Sequence, residues 1–238
     1  MKRNVAMVVQ QVAVACIMLF SIMAGGRYYA HAGSVGAIDG NVYRIQEFHL
    51  AITNPVEEWE MQDSSVKDEL FNKINRAAQN LVDIYNPASD VIPERLRFAA
   101  YRMNEILSAE TSIDRDLDPQ VILLRFVELT LRNQVTVDTE LLVKQKTAWN
   151  DHPAYRIDFT TDIGFKQKTV TIGYFIFLPD VQAVLAMTFV MEERNYDVYK
   201  LFFDEVLRRL VHGKQADQTV PSAQMTLMDM YLNARISS

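Results

Sequence analysis

Four β-rich runs, at residues 141–149, 154–160, 168–178 and 183–191, constrain the fold of this 238-residue chain more than any other feature. They are separated only by Asn150-Asp151-His152-Pro153, Asp162-Ile163-Gly164 and Pro179-Asp180. A parallel crossover needs a dozen or more residues, so links this short predict an antiparallel meander. The segment opened by Asn195 then places Tyr199, Phe202, Phe203, Val206, Leu207 and Leu210 on one helical stripe. Arg208 and Arg209 fall in its last turn, where cations suit the helix dipole, and Gly213 is the expected stop. A one-sided helix after a meander needs the sheet to cover its apolar face. The expected fold class is therefore α+β, an antiparallel β-sheet flanked by helices.

The first half gives a more mixed pattern. Residues 42–53 alternate Tyr43, Ile45, Phe48, Leu50 and Ile52 with one slip near Glu47, which reads as a strand with a bulge. Asn54-Pro55 is a turn signal, and residues 59–61 are expected to return as the second strand of a hairpin. Ser64-Ser65 ahead of Asp68-Glu69 resembles a capping box. Val66, Leu70, Ile74, Ala77, Ala78, Leu81 and Tyr85 follow at helical spacing until Asn86-Pro87, predicting a helix across 64–85. Residues 93–107 and 119–132 fit either helix or strand, and helix is favoured for both. In the second, Asp118-Pro119 supplies an N-cap and first position. The expected organisation is a flexible lead-in at 33–40, one α+β domain at 41–212, and a connector and Met-rich tail at 213–238. Met225, Met228 and Tyr231 in that tail fit a short helix that packs on the domain or engages a partner.

Residues 1–32 are expected to be a signal peptide or an N-terminal membrane anchor. Met1-Lys2-Arg3 precedes 23 consecutive uncharged residues ending before Arg27. Ala30-His31-Ala32 offers an A-x-A cleavage site after Ala32, although Arg27, Tyr28 and Tyr29 make the intervening region long and bulky. Ala24-Gly25-Gly26 is a second site. An uncleaved segment 4–26 also suffices to cross a bilayer, which takes ~20 apolar residues. Lipidation at Cys16, the single cysteine, is disfavoured because Ile17-Met18-Leu19-Phe20 continues the apolar run. In each case Lys2 and Arg3 hold the amino end in the cytoplasm, so the remainder is expected in the periplasm or outside the cell. Membrane contact is then confined to residues 4–26, and only if they are retained.

Removing residues 1–32 takes Lys2, Arg3 and Arg27, so 24 basic residues fall to 21 against 30 acidic and net charge moves from −6 to −9. An acidic surface disfavours nucleic acid and anionic lipid. No thiol is left, so neither disulfides nor a cysteine nucleophile enter the expected chemistry. Asp114, Asp116 and Asp118 resemble a calcium loop, but its sixth and twelfth positions are Pro119 and Arg125 where Gly and Glu are needed. His49, His152 and His212 follow no metal-ligand spacing and read as structural, and no cofactor is expected. Ser64, Ser65, Ser89 and Ser108 lie outside any nucleophile motif. The remaining candidate is an exposed acidic-aromatic edge of Glu57, Glu58, Trp59 and Glu60, extended by Asp63, which suits protein docking.

Asn54-Pro55-Val56-Glu57-Glu58-Trp59, His152-Pro153-Ala154-Tyr155-Arg156, the strand VLAMTFVME and the helix YKLFFDEVLRRL occur in this order along the chain. This arrangement resembles the PsbP-like α/β/α sandwich family over residues 41–212. The resemblance implies an antiparallel sheet between helices and mostly non-enzymatic roles in docking to larger complexes or assisting their assembly. It implies no site residue, because the shared positions are core and turn. Residues 64–86 and the tail after Gly213 depart from the family pattern. The expected function is an exported, non-catalytic domain that binds a protein partner or assists assembly of an envelope or membrane complex. The alternatives are a carrier of small apolar ligands and a hydrolase built on scattered carboxylates.

Overall fold

The computed structural model describes residues 35–64, 78–89, 94–103, 118–134, 139–164, 167–217, 223–230 and 232, all within the unit Gly33–Ser238. The meander is present: β7 (Thr139–Trp149), β8 (His152–Gly164), β9 (Gln167–Leu178) and β10 (Ala183–Glu192) pair in succession, each antiparallel to the next. β4 (Glu60–Asp63), β5 (Ala78–Tyr85) and β6 (Arg95–Arg102) extend it into a seven-stranded sheet of order β4-β5-β6-β10-β9-β8-β7. A four-stranded antiparallel sheet has the order β1-β2-β3-β11, from Ala37–Asp39, Val42–Ile45, Leu50–Thr53 and Val211–His212. At its start Gly36 is sterically required, since a Cβ there would lie 2.5 Å from the Arg44 carbonyl oxygen.

Both faces of the large sheet are covered, which explains why its central strands are apolar nearly throughout. Helix α1 (Pro119–Gln134) lies on one face, packing Ile122, Leu123, Phe126 and Val127 against Tyr155, Ile157, Phe159, Phe175, Phe177 and Val184. Helix α2 (Tyr196–Arg209) lies on the other with the small sheet. There Tyr199, Phe202, Phe203 and Val206 meet Leu96, Phe98, Val170, Ile172, Leu185, Met187 and Phe189. Alternate residues along β9 and β10 therefore serve two different cores. Among the described residues no helix is long and apolar enough to cross a membrane.

Several expectations change. The slip near Glu47 is a turn at 46–49, so residues 42–53 form two paired strands rather than one bulged strand. The segment at 59–61 becomes β4, which pairs with β5 instead of returning on residues 42–53. The helix expected across 64–85 is replaced by strand over Ala78–Tyr85, and residues 65–77 lie outside the described residues. A bulge between Asn80 and Val82 shifts the inward face by one residue, so Leu81, Val82 and Ile84 are all buried and the alternation is broken. Residues 95–102 are strand, not helix. Leu96, Phe98 and Ala100 face α2 while Tyr101 and Met103 face α1, and the two sets together mimic helical spacing. Gly213 does not cap α2: the chain turns extended at Leu210 and runs through β11 before reaching Gly213 at φ 82°.

The helix at residue 119 forms as expected, and Asp118 starts it. Its Oδ1 accepts the Gln120 N–H at 2.9 Å, and its carbonyl oxygen accepts from Val121 and Ile122. Asp118→Ala is expected to cost about 1 kcal/mol of stability in a urea titration, the usual value of an N-cap. Asp114 and Asp116 lie outside the described residues.

Candidate functional site

The acidic edge is the point where sequence and structure meet most directly. Glu57, Glu58 and Glu60 are exposed, but Trp59 between them is only 3% exposed. Its ring turns inward to Phe202, Tyr199 and Phe189 at centroid distances of 4.4, 5.5 and 5.7 Å. The expected aromatic partner of the acidic edge is thus a core residue, because an indole gains far more by burial against α2 than at a rim.

Other apolar side chains come to this edge from the C-terminal tail. Met225 forms a parallel bridge with Val56: its N–H donates to the Pro55 carbonyl, and its own carbonyl accepts the Glu57 N–H. The Glu58 carboxylate accepts the Leu227 N–H at 3.2 and 3.3 Å, holding the start of a helical turn at 227–230. The inward side of the tail buries Met230 and packs Met225 and Leu227 on the main core. Its outward side leaves Met228 67% and Leu232 53% exposed. The tail therefore packs on the domain, is tied to Glu58 of the acidic edge, and also presents apolar groups outward. Glu60 is further held by the Tyr85 hydroxyl at 2.6 Å, a bond that raises the tyrosine pKa above its usual 10.

Three buried carboxylates are bound into the sheets. Glu94 accepts from Tyr199, Asn86 and Asn195 at 2.6, 2.8 and 2.8 Å. Asp83 lies between Arg95 and Arg97 at 3.3 and 3.0 Å. Asp158 takes a bidentate contact from Arg156 and the Tyr196 hydroxyl at 2.6 Å. Burial, followed by the bond to Asp158, pushes the Tyr196 pKa up to about 12. All three acids hold elements together through saturated hydrogen bonds, the usual condition for keeping a carboxylate inside a protein. Glu57 by contrast is exposed.

A second constellation is invisible in the sequence. His49 from the β2–β3 turn, His152 at the start of β8, Asp180 from the β9–β10 turn and His212 on β11 converge at one end of the domain. His212 Nε2 is 3.2 Å from Asp180 Oδ1, and His49 Nδ1 is 3.8 Å from Asp180 Oδ2. The His152 ring meets His212 edge-on at 5.1 Å and stacks on Trp149 at 5.9 Å. Among the described residues no group of three or more such side chains is arranged to hold a metal ion.

No protein-family model matches the chain, and no curated protein does. Solved structures similar to it include a Pseudomonas aeruginosa protein of unknown function described as a putative regulator. It is 16% identical, with 76% of this chain and 99% of that one covered, at a TM-score of 0.39. LpqN, involved in cell envelope biogenesis of Mycobacterium tuberculosis, is 12% identical over 79% of this chain and 98% of its own, at 0.48. Cyanobacterial PsbP from Synechocystis is 12% identical over 80% and 99%, at 0.46. PsbP belongs to the family that the sequence resembles.

Proposed function

We propose that this is an exported, non-catalytic domain that docks a protein partner and thereby assists assembly of an envelope or membrane complex. The observation that carries the reading is the exposure of Met228 and Leu232 on a tail whose Leu227 N–H is held by Glu58 of the acidic edge. Exposed apolar groups on a tail tied to an acidic edge suit a protein surface with an apolar cleft bordered by basic residues. Export is supported by the basic start and the uncharged run before Arg27. A carrier of apolar ligands has less support, because the layer between α2 and the sheet is occupied by packed rings of Trp59, Phe189, Tyr199 and Phe202.

The test is crosslinking in intact cells from a photoreactive residue at the exposed position 57, whose backbone bonds to Met225 of the tail, followed by mass spectrometry. One strongly enriched partner is expected. The double variant Met228→Asp, Leu232→Asp should reduce its capture at least about tenfold, an effect of central interface anchors, without moving the urea midpoint of the domain. Capture that survives the double variant, or recovery of abundant bystanders alone, refutes the docking face.

A further inference from the structure

The histidine cluster joins the two sheets at a short strand, β11, whose Val211 also packs on Val42, Ala51 and Ala216. β11 is only two residues long and is paired with β3 through Val211–Ala51 and His212–Leu50. The Gly213 N–H extends the pairing by donating to the His49 carbonyl at 2.9 Å. The same two histidines whose backbones form this joint send their side chains to Asp180 on the large sheet. Trp149, which stacks on His152, donates its Nε1–H to the Leu207 carbonyl at the end of α2.

We propose that His49, His152, His212 and Asp180 form a pH-operated clasp, in which protonation of His212 releases β11 from β3. His212 and His49 share the Asp180 carboxylate, and the His152 ring meets His212 edge-on at 5.1 Å. A proton added to His212 therefore enters a site that already holds two other bases and a single acid. The His212 side chain is only 8% exposed, and its Nε2 is buried beside Asp180 in an orientation that makes no hydrogen bond. Its charge therefore gains little to offset the loss of water.

The charged groups on neighbouring elements do not supply the missing counter-charge. Arg208 and Arg209 in the last turn of α2 pair with Glu205. Glu47, two residues before His49, pairs with Arg102 of β6. Asp151 precedes His152 with an exposed side chain in the β7–β8 turn, and Lys214 adds another positive charge after β11. Burial is the main cause that lowers the His212 pKa below its ordinary 6.5, with His152 and His49 adding to it and Asp180 opposing. A released β11 binds more protons than a clasped one as pH falls below 6.5, so the joint is fully stable above that value and weakens below it.

Hydrogen exchange on the full chain reads the clasp at one amide. The protection factor of the Gly213 N–H is expected to fall about tenfold between pH 7.5 and pH 5.0 for each unit by which the His212 pKa is depressed. Protection of the β9–β10 amides should stay unchanged. His212→Gln should abolish the pH dependence, and Asp180→Asn should deepen the loss of protection, because it removes the charge that opposes the depression of the His212 pKa. An unchanged Gly213 protection factor, or the same fall in His212→Gln as in the parent, overturns the proposal. Should the glutamine variant fail to fold, direct NMR titration of His212 in the parent decides: a midpoint below 6.5 supports the clasp, and one at or above 6.5 refutes it.

Discussion

Asp158→Ala is expected to destabilise the domain by about 3–5 kcal/mol, the cost of leaving a buried ionic partner uncompensated. Asp158 is 0% exposed on the α2 side of β8, and Arg156, two residues earlier on the same face, is only 15% exposed. Three contacts from the Arg156 guanidinium, at 2.8, 2.9 and 3.2 Å, satisfy the carboxylate, and Tyr196 adds a fourth. Removing the acid strands the guanidinium, whose only other acidic contact among the described residues is Asp204 at 3.4 Å. It also strands the Tyr196 hydroxyl at the first turn of α2. Equilibrium urea unfolding measures the loss. A paired replacement, Arg156→Met with Asp158→Leu, should recover most of it, because an apolar pair of similar volume incurs no ionic desolvation. A cost below about 1 kcal/mol for the single alanine variant would show that the network does not bind α2 to the sheet.

Trp59→Ala should cost a similar ~3–5 kcal/mol, for a different physical reason. Its ring fills the space between β10 and α2, so truncation leaves a cavity among Phe189, Tyr199 and Phe202. The indole Nε1 is buried without a hydrogen-bond partner among the described residues. Trp59→Phe therefore discards an unsatisfied donor, a relief of about 1–3 kcal/mol that offsets part of the lost volume. The phenylalanine variant is expected within about 1 kcal/mol of the parent in the same urea titration. If both variants lose equally, the nitrogen has an acceptor and the packing account of Trp59 is wrong.

The meander and α2 were readable because each has one dominant period and unambiguous punctuation. Pro179-Asp180 and Asn150-Asp151 bracket strands whose pairing is local in sequence. β5 and β6 were hidden by the very burial that makes them central. Leu96, Phe98 and Ala100 serve one core while Tyr101 and Met103 serve the other, and the summed pattern no longer alternates. In β5 the bulge at Asn80 and Val82 adds a phase shift that periodicity cannot distinguish from a helix. At the docking edge the three glutamates were legible from their charge. The inward turn of Trp59 and the tie between Leu227 of the tail and Glu58 were not, because both depend on contacts across more than a hundred residues. The histidine cluster was the least accessible of all. His49, His152 and His212 are isolated in sequence, and only the convergence of separate turns brings them to Asp180.

The joint between β3 and β11 also fixes an order of events. β3 ends at Thr53, whereas its outer neighbour begins at Val211, and the bridge from Val56 waits still longer for Met225. A chain growing from its amino end carries β3 with one bare edge until nearly the whole domain has been made. Non-local pairing of this kind slows folding and leaves an edge open to foreign strands in the interval. The molecule is thus most vulnerable to aggregation before residues 211–225 have been made, because those residues close the edge.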